Sequence, residues 1–202
     1  MADSKISALP ASTVPLAGTE VLPIVQAGAT KQVSVANLTA GRAVSVLSLT
    51  PASTNGIIGT TTNDNANTGS VGEYVSATLA AGSAVTLTTG TITNVTSISL
   101  TAGDWDISGT VGLVMTGTTS LNYFSLGTTT SAGGGPNLDA GFQLGFPTGG
   151  GAIAVSGVGP VYPIPTARYS LSATTTIYLN ANVSFSTSTC KAYGVIRARR
   201  IR

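Results

Sequence analysis

The chain has 202 residues, enough for one sizeable domain with an arm or for two small ones, and it carries no histidine, one cysteine and a net charge of +2. Those counts exclude a histidine triad or dyad, an internal disulfide and a structural zinc site. Only 8% of the residues are charged against 42% hydrophobic, with Gly, Ser and Thr abundant, a balance that argues against disorder and for β-structure in a large assembly. No stretch reaches the roughly 18 consecutive apolar residues that span a bilayer, and no basic and apolar leader opens the chain, so a soluble cytoplasmic product without membrane insertion is expected.

Residues 1–40 read as a docking arm. Their apolar residues come in short bursts divided by Pro10, Pro15, Gly18, Pro23 and Gly28, too short for a helix or a private core, so the segment must fold onto something else. Lys5, Ile6, Ser7, Leu9, Pro10, Leu16, Gly18, Glu20, Pro23, Val25, Gln26, Gly28, Thr30, Lys31, Val33 and Leu38 hold a pattern that resembles an N-terminal module recurring in virion proteins of tailed bacteriophages. The resemblance covers about a fifth of the chain and implies attachment to phage capsid or tail proteins. The contacts it implies are Ile6, Leu9, Pro10, Leu16, Leu22, Pro23, Val25, Gln26, Val33 and Leu38.

Residues 41–69 read as a connector, with one strand over Ala43–Leu49 and a polar, turn-prone linker over Thr60–Gly69. From residue 70 the period becomes two. Glu73–Leu79 alternates Tyr74 and Ser76 against Val75, Ala77 and Leu79, and in Thr91–Leu100 the step from Val95 to Ile98 breaks phase as a bulge would. Further strands are expected at Ala84–Thr88, Asp104–Met115, Ser120–Leu126, Ala140–Phe146, Ala152–Ser156, Tyr169–Ala173, Thr176–Phe185 and Lys191–Arg199. About ten short strands and no confident helix define an all-β chain: an extended N-terminal arm followed over 70–202 by an antiparallel β-sandwich, jelly-roll in form.

Trp105, Ile107, Gly109 and Val111 share one strand face, which places the tryptophan in the core; a sugar-stacking role would leave the in-phase Ile107 and Val111 unexplained. This stretch and the ending Tyr193-Gly-Val-Ile-Arg-Ala-Arg-Arg-Ile-Arg202 resemble jelly-roll heads of phage fibre and decoration proteins. The glycine-rich loops at 131–137 and 148–152 precede no helix and hold no phosphate-loop ending, so they are surface loops at one end of the sandwich.

Cys190 reads as a buried strand residue, since no histidine is present to activate it. The sequons at Asn37, Asn94 and Asn182 are expected by chance in a chain rich in Ser and Thr. Asp104 and Asp106 fall on the face opposite Trp105 and read as solvated or interfacial; a glycosidase pair, or a calcium site with Asp139, are the competing uses. Five of the nine basic side chains are Lys191, Arg197, Arg199, Arg200 and Arg202. With Arg197 and Arg199 on one face and Arg200 and Arg202 on the other, the end of the strand needs acidic partners, so these four arginines are expected at a subunit or capsid contact. Without interleaved aromatics they make a poor nucleic-acid surface, and no direct nucleic-acid partner is expected.

The combined reading is a non-enzymatic virion protein without cofactor or metal: a homotrimeric head-fibre or capsid-decoration protein, assembled in the host cytoplasm. Trimerisation follows from the resemblance and from the need to cover a surface poor in charge. A tail fibre recognising host surface glycans through its distal loops is the alternative, and a capsule depolymerase a third. The head placement is preferred because the sandwich has no repetitive shaft to give it reach.

Overall fold

A computed structural model describes residues 19–37, 61–135, 142–144, 153–154 and 157–202. The chain divides into two units, Met1–Thr61 and Thr62–Arg202. The expected contacts Ile6, Leu9, Pro10, Leu16 and Leu38, the strand at 43–49 and Asp139 lie outside the described residues.

In the first unit, β1 (Val21–Gln26) pairs antiparallel with β2 (Ala29–Ser34), Leu22 opposite Val33 and Val25 opposite Thr30. Both turn residues have positive φ, Ala27 at 52° and Gly28 at 78°, the two-residue turn whose twist matches the strands it joins. Glycine meets that requirement at the second position without steric cost. The Val35 amide then donates to the Glu20 carbonyl at 2.8 Å, closing the open end. The arm is therefore not wholly extended: punctuation that divides the apolar bursts also folds 21–34 back on itself.

The second unit holds β3 (Tyr74–Leu79), β4 (Val85–Thr86), β5 (Ile92–Leu100), β6 (Gly103–Met115), β7 (Ser120–Thr129), β8 (Phe142–Leu144), β9 (Ile153–Ala154), β10 (Gly157–Leu171), β11 (Thr175–Ser186) and β12 (Cys190–Arg200). Two five-stranded sheets face each other, with orders β10-β6-β12-β3 and β5-β11-β7-β8. Because β3 and β4 share one edge of β12, and β8 and β9 both pair with β7, each sheet has four strand positions. Taken in chain order, the first position pairs with the eighth, the second with the seventh, the third with the sixth and the fourth with the fifth, all antiparallel. One long hairpin wound into two sheets has that order. The fold is a jelly roll.

Period-two patterning fills the space between the sheets. Trp105, Ile107, Val111, Leu113 and Met115 of β6 meet Ile177, Leu179, Ala181 and Val183 of β11, all fully buried. The phase break in β5 is a bulge: Leu179 faces Thr96 while Asn180 faces Asn94, leaving Val95 as the extra residue. The longest departure from expectation is β10, expected only at Tyr169–Ala173 but running from Gly157 to Leu171. Pro160, Pro163 and Pro165 disguise it. They are tolerated because β10 is an edge strand and because Pro160 and Pro165 fall in bulges, between Val158 and Val161 and between Ile164 and Ala167.

The polar run before β3 is no loose linker over its described part. The Asn65 amide donates to the Tyr74 carbonyl at 2.8 Å, and its Oδ1 accepts from the Tyr74 amide at 3.0 Å, so one side chain imitates a neighbouring strand where β3 would otherwise present a bare edge. Asn65→Ala should lower stability by about 1–2 kcal/mol, two modest hydrogen bonds. Urea unfolding measures it, and an unchanged midpoint would return 62–69 to the status of linker.

Candidate functional site

Arg200 ends β12 on the inner face, in phase with Ile196 and Ala198, and is 4% exposed. Its guanidinium lies over the Trp105 ring at 4.3 Å from the centroid. Its Nε donates to Glu73 Oε2 at 2.9 Å, Nη1 donates to the Ala102 carbonyl at 2.8 Å, and Nη2 donates to the Thr101 hydroxyl. The Trp105 indole N–H donates to the Thr101 carbonyl at 3.0 Å, so the same turn holds ring and cation. Gly103, at φ 137°, completes the turn. A Cβ there would occupy the place of the Arg200 guanidinium, and the backbone angle itself favours glycine. Glu73 Oε2 also accepts from the Gly69 amide at 2.8 Å.

On the outer face at the same end, Asp104 is 3% exposed and accepts from Arg168 at 2.8 Å and from Arg202 at 2.6 Å. Hydrogen bonds from Arg168 and Ser170 hold its carboxyl below the ordinary value; burial opposes them, and the charges of Arg168 and Arg202 add to the depression. For Glu73 burial is the largest influence and raises the pKa, but the Gly69 amide, the Arg200 hydrogen bond and the Arg200 charge together outweigh it. A carboxylate tied to two arginines is poorly suited to act as a general acid. Asp104 is thus neither solvated nor half of a free acidic pair.

The expected arginine contact divides in three. Arg200 is corrected: it is buried and its charge is met by Glu73 of its own chain, because the alternation of β12 turns it inward. Arg202 lies beyond the strand and reaches the opposite face to pair with Asp104, while keeping its side chain 79% exposed. Arg197 and Arg199 are exposed on the outer face. In the hairpin, Leu22, Gln26 and Val33 fall on one face and Pro23 and Val25 on the other, so the described members of the expected contact set are split between two surfaces. Val25 is 76% exposed. Cys190 is buried as expected, and desolvation pushes its thiol up to about 11.

At the opposite end of the jelly roll the loops 116–119 and 187–189 are laced by hydroxyls. Thr116 and Thr189 share a hydrogen bond of 2.6 Å, and the Thr119 hydroxyl donates to the carbonyls of Thr116 and Thr189 at 2.8 and 3.0 Å. Among the described residues no group of three or more His, Cys, Asp or Glu side chains is placed to hold a metal, and no helix is long and apolar enough to cross a membrane.

The class of the second unit is therefore a jelly roll closed at one end by internal ion pairs. No family model matches the chain, and no curated protein does. Among solved structures it is similar to the infectious bursal disease virus VP2 subviral particle (14% identity, TM-score 0.32, covering 64% of this chain and 30% of that one). It is also similar to the Gx strain of that virus (13%, 0.36, 89% and 42%) and to its T13 viral particle (12%, 0.39, 84% and 37%). The chain spans less than half the length of those chains.

Because both carboxyls titrate below their ordinary values of 4.5 and 3.8, the unfolded chain takes up protons at a higher pH than the folded one. The stability they contribute is fully present above those ordinary values and is lost as pH falls through the lower folded ones. Urea midpoints should stay level from neutrality down to about pH 5 and drop below about pH 4. Glu73→Gln strands the buried Arg200 and should cost about 3 kcal/mol at neutral pH while flattening that acid limb. An acid limb as steep as in the unmodified protein would show that Glu73 is not its source.

Proposed function

We propose that this is a non-enzymatic structural protein of a bacteriophage virion, a homotrimeric head-fibre or capsid-decoration protein attached through its N-terminal unit and assembled in the host cytoplasm. The observation that carries this reading is the contrast between the two units. The hairpin is a two-stranded piece with Val21, Leu22 and Val25 exposed, and such a hairpin is marginal alone, so it calls for a partner surface. The sandwich has a contiguous core and closes its own end with Glu73, Asp104, Arg200 and Arg202. Together with the phage-module pattern of residues 5–38, this favours attachment by the first unit and display of the second.

The sandwich receives the chain at Thr62–Glu73, at the end that also holds Arg200 to Arg202, so the loops 87–91, 116–119 and 187–189 occupy the opposite end. That polarity suits an appendage. The absence of histidine and the arginine-bound state of Asp104 favour a structural role over hydrolysis.

A truncation beginning at Thr62, which keeps Asn65 and Gly69, should give a β-rich circular dichroism spectrum and cooperative unfolding yet fail to decorate particles that lack the native protein. Decoration at the level of the full chain would overturn the docking role. The full chain should have the mass of a homotrimer in light scattering; a monomer in solution and on the particle would remove the trimer. Incubation with host capsule or lipopolysaccharide should release no oligosaccharide, and release abolished by Asp104→Asn or Asp106→Asn would make the protein an enzyme.

A further inference from the structure

Four strands build a groove of about 270 Å³ on the outer face of the β10-β6-β12-β3 sheet, lined by Tyr74, Asp106, Ser108, Thr166, Arg197 and Arg199. Register explains its shape. One row across the sheet runs Tyr74, Arg199, Asp106; the next runs Ser76, Arg197, Ser108, and there the β10 bulge sets Pro165 and Thr166 against Ser108. The bulge raises one wall, exposed Tyr74 forms the other, and small Ser108 leaves the floor low.

The charges in the groove are unspent. Arg168, Arg200 and Arg202 each have a carboxylate, whereas Arg197, Arg199 and Asp106 form no side-chain hydrogen bond or ion pair among the described residues. Arg199 and Asp106 are register partners, yet they do not pair. Two guanidinium forks ask for a carboxylate or another oxyanion. Asp106 asks for the reverse, hydroxyl donors, and a small bare anion would bring it only repulsion. Tyr74 adds a partly exposed aromatic ring, and Ser108 and Thr166 add hydroxyls that donate and accept. One ligand class meets all of these demands at once.

We propose that this groove binds a carboxylated sugar unit of a surface polysaccharide, the carboxylate on Arg197 and Arg199, the ring against Tyr74, and ring hydroxyls on Asp106, Ser108 and Thr166. It places glycan recognition on a sheet face and not on the distal loops. The binding is read on the protein alone, so its outcome is independent of attachment to a particle.

The test uses the full chain and oligogalacturonate as probe, with its methyl ester, inorganic sulfate and a neutral glucan for comparison, in isothermal titration calorimetry. Oligogalacturonate should bind, and the ester, the glucan and sulfate should each bind at least about tenfold more weakly. Arg197→Ala and Arg199→Ala should each weaken oligogalacturonate at least about tenfold, while Lys191→Ala, an exposed cation of the same strand outside the groove, leaves it unchanged. Asp106→Asn decides between ligand classes: it should weaken the sugar acid and strengthen sulfate. Circular dichroism checks each variant, and Arg199→Lys, which keeps the charge without the fork, should weaken binding less than Arg199→Ala. No binding of oligogalacturonate, equal binding of the methyl ester, or tighter oligogalacturonate binding by Asp106→Asn would each overturn the proposal. So would arginine variants that change the oligomeric mass but not sugar binding, since they would assign the pair to a subunit contact.

Discussion

Arg200 stands at the inner end of β12, where the two-residue alternation that buries Ile196 and Ala198 leaves it no other direction than the core. A lone guanidinium in that place would cost several kcal/mol, and the surrounding structure is arranged so that it is never alone. Glu73 supplies the countercharge from the residue before β3, Thr101 and Ala102 supply acceptors from the turn before β6, and Trp105 supplies a π face. Glu73 comes from one remote segment and Thr101, Ala102 and Trp105 from another, so the contact ties the first, third and last strand positions of the jelly roll at one point. The wound hairpin brings its two ends together there, and an ion pair across 127 residues of sequence joins them. Such a closure is made only when the winding is complete, which links it to the native topology more tightly than any local contact can be.

The same logic accounts for the scarcity of charge. In a sandwich of two facing sheets the inner faces hold no charge except at an end, and here the end carries Arg200 and Glu73 inside with Asp104, Arg168 and Arg202 outside. The far end is held differently, by the hydroxyls of Thr116, Thr119 and Thr189. Neutral hydroxyl bonds need no countercharge and suit short loops, whereas the ionic end fixes where the chain begins and leaves the sandwich.

Much of the fold was legible because burial obeys parity. The face shared by Trp105, Ile107 and Val111 and the slipped phase at Val95 both follow from a period of two, and both are present. β10 was not legible beyond its last turn, since proline signals an end to pairing unless the strand is known to be an edge with bulges, and that is a property of the sheet. Ala27-Gly28 carried a turn signal, but the prolines around it read as breaks. Asn65 had no signal at all, because its partner is backbone. Arg200 could have been placed inward from its phase with Ile196 and Ala198; its need for an acidic partner was read as a contact with another subunit or the capsid, because Glu73 lies 127 residues away in sequence. The groove depends on register between strands far apart in sequence, so Tyr74 and Asp106 could not be assigned to one site with Arg199 from the chain alone.

β12 thereby sorts one basic run into two uses. Arg200 faces the core and closes the sandwich, while Arg197 and Arg199, one residue out of phase, face the groove and keep their charges unspent. Neither use could take over the other's residues without a register slip, which in a strand buried on one face would carry Ile196 and Ala198 to the outside. The apolar residues between the arginines therefore hold the assignment in place: the hydrophobic alternation of the strand decides which cation is structural and which is available at the surface.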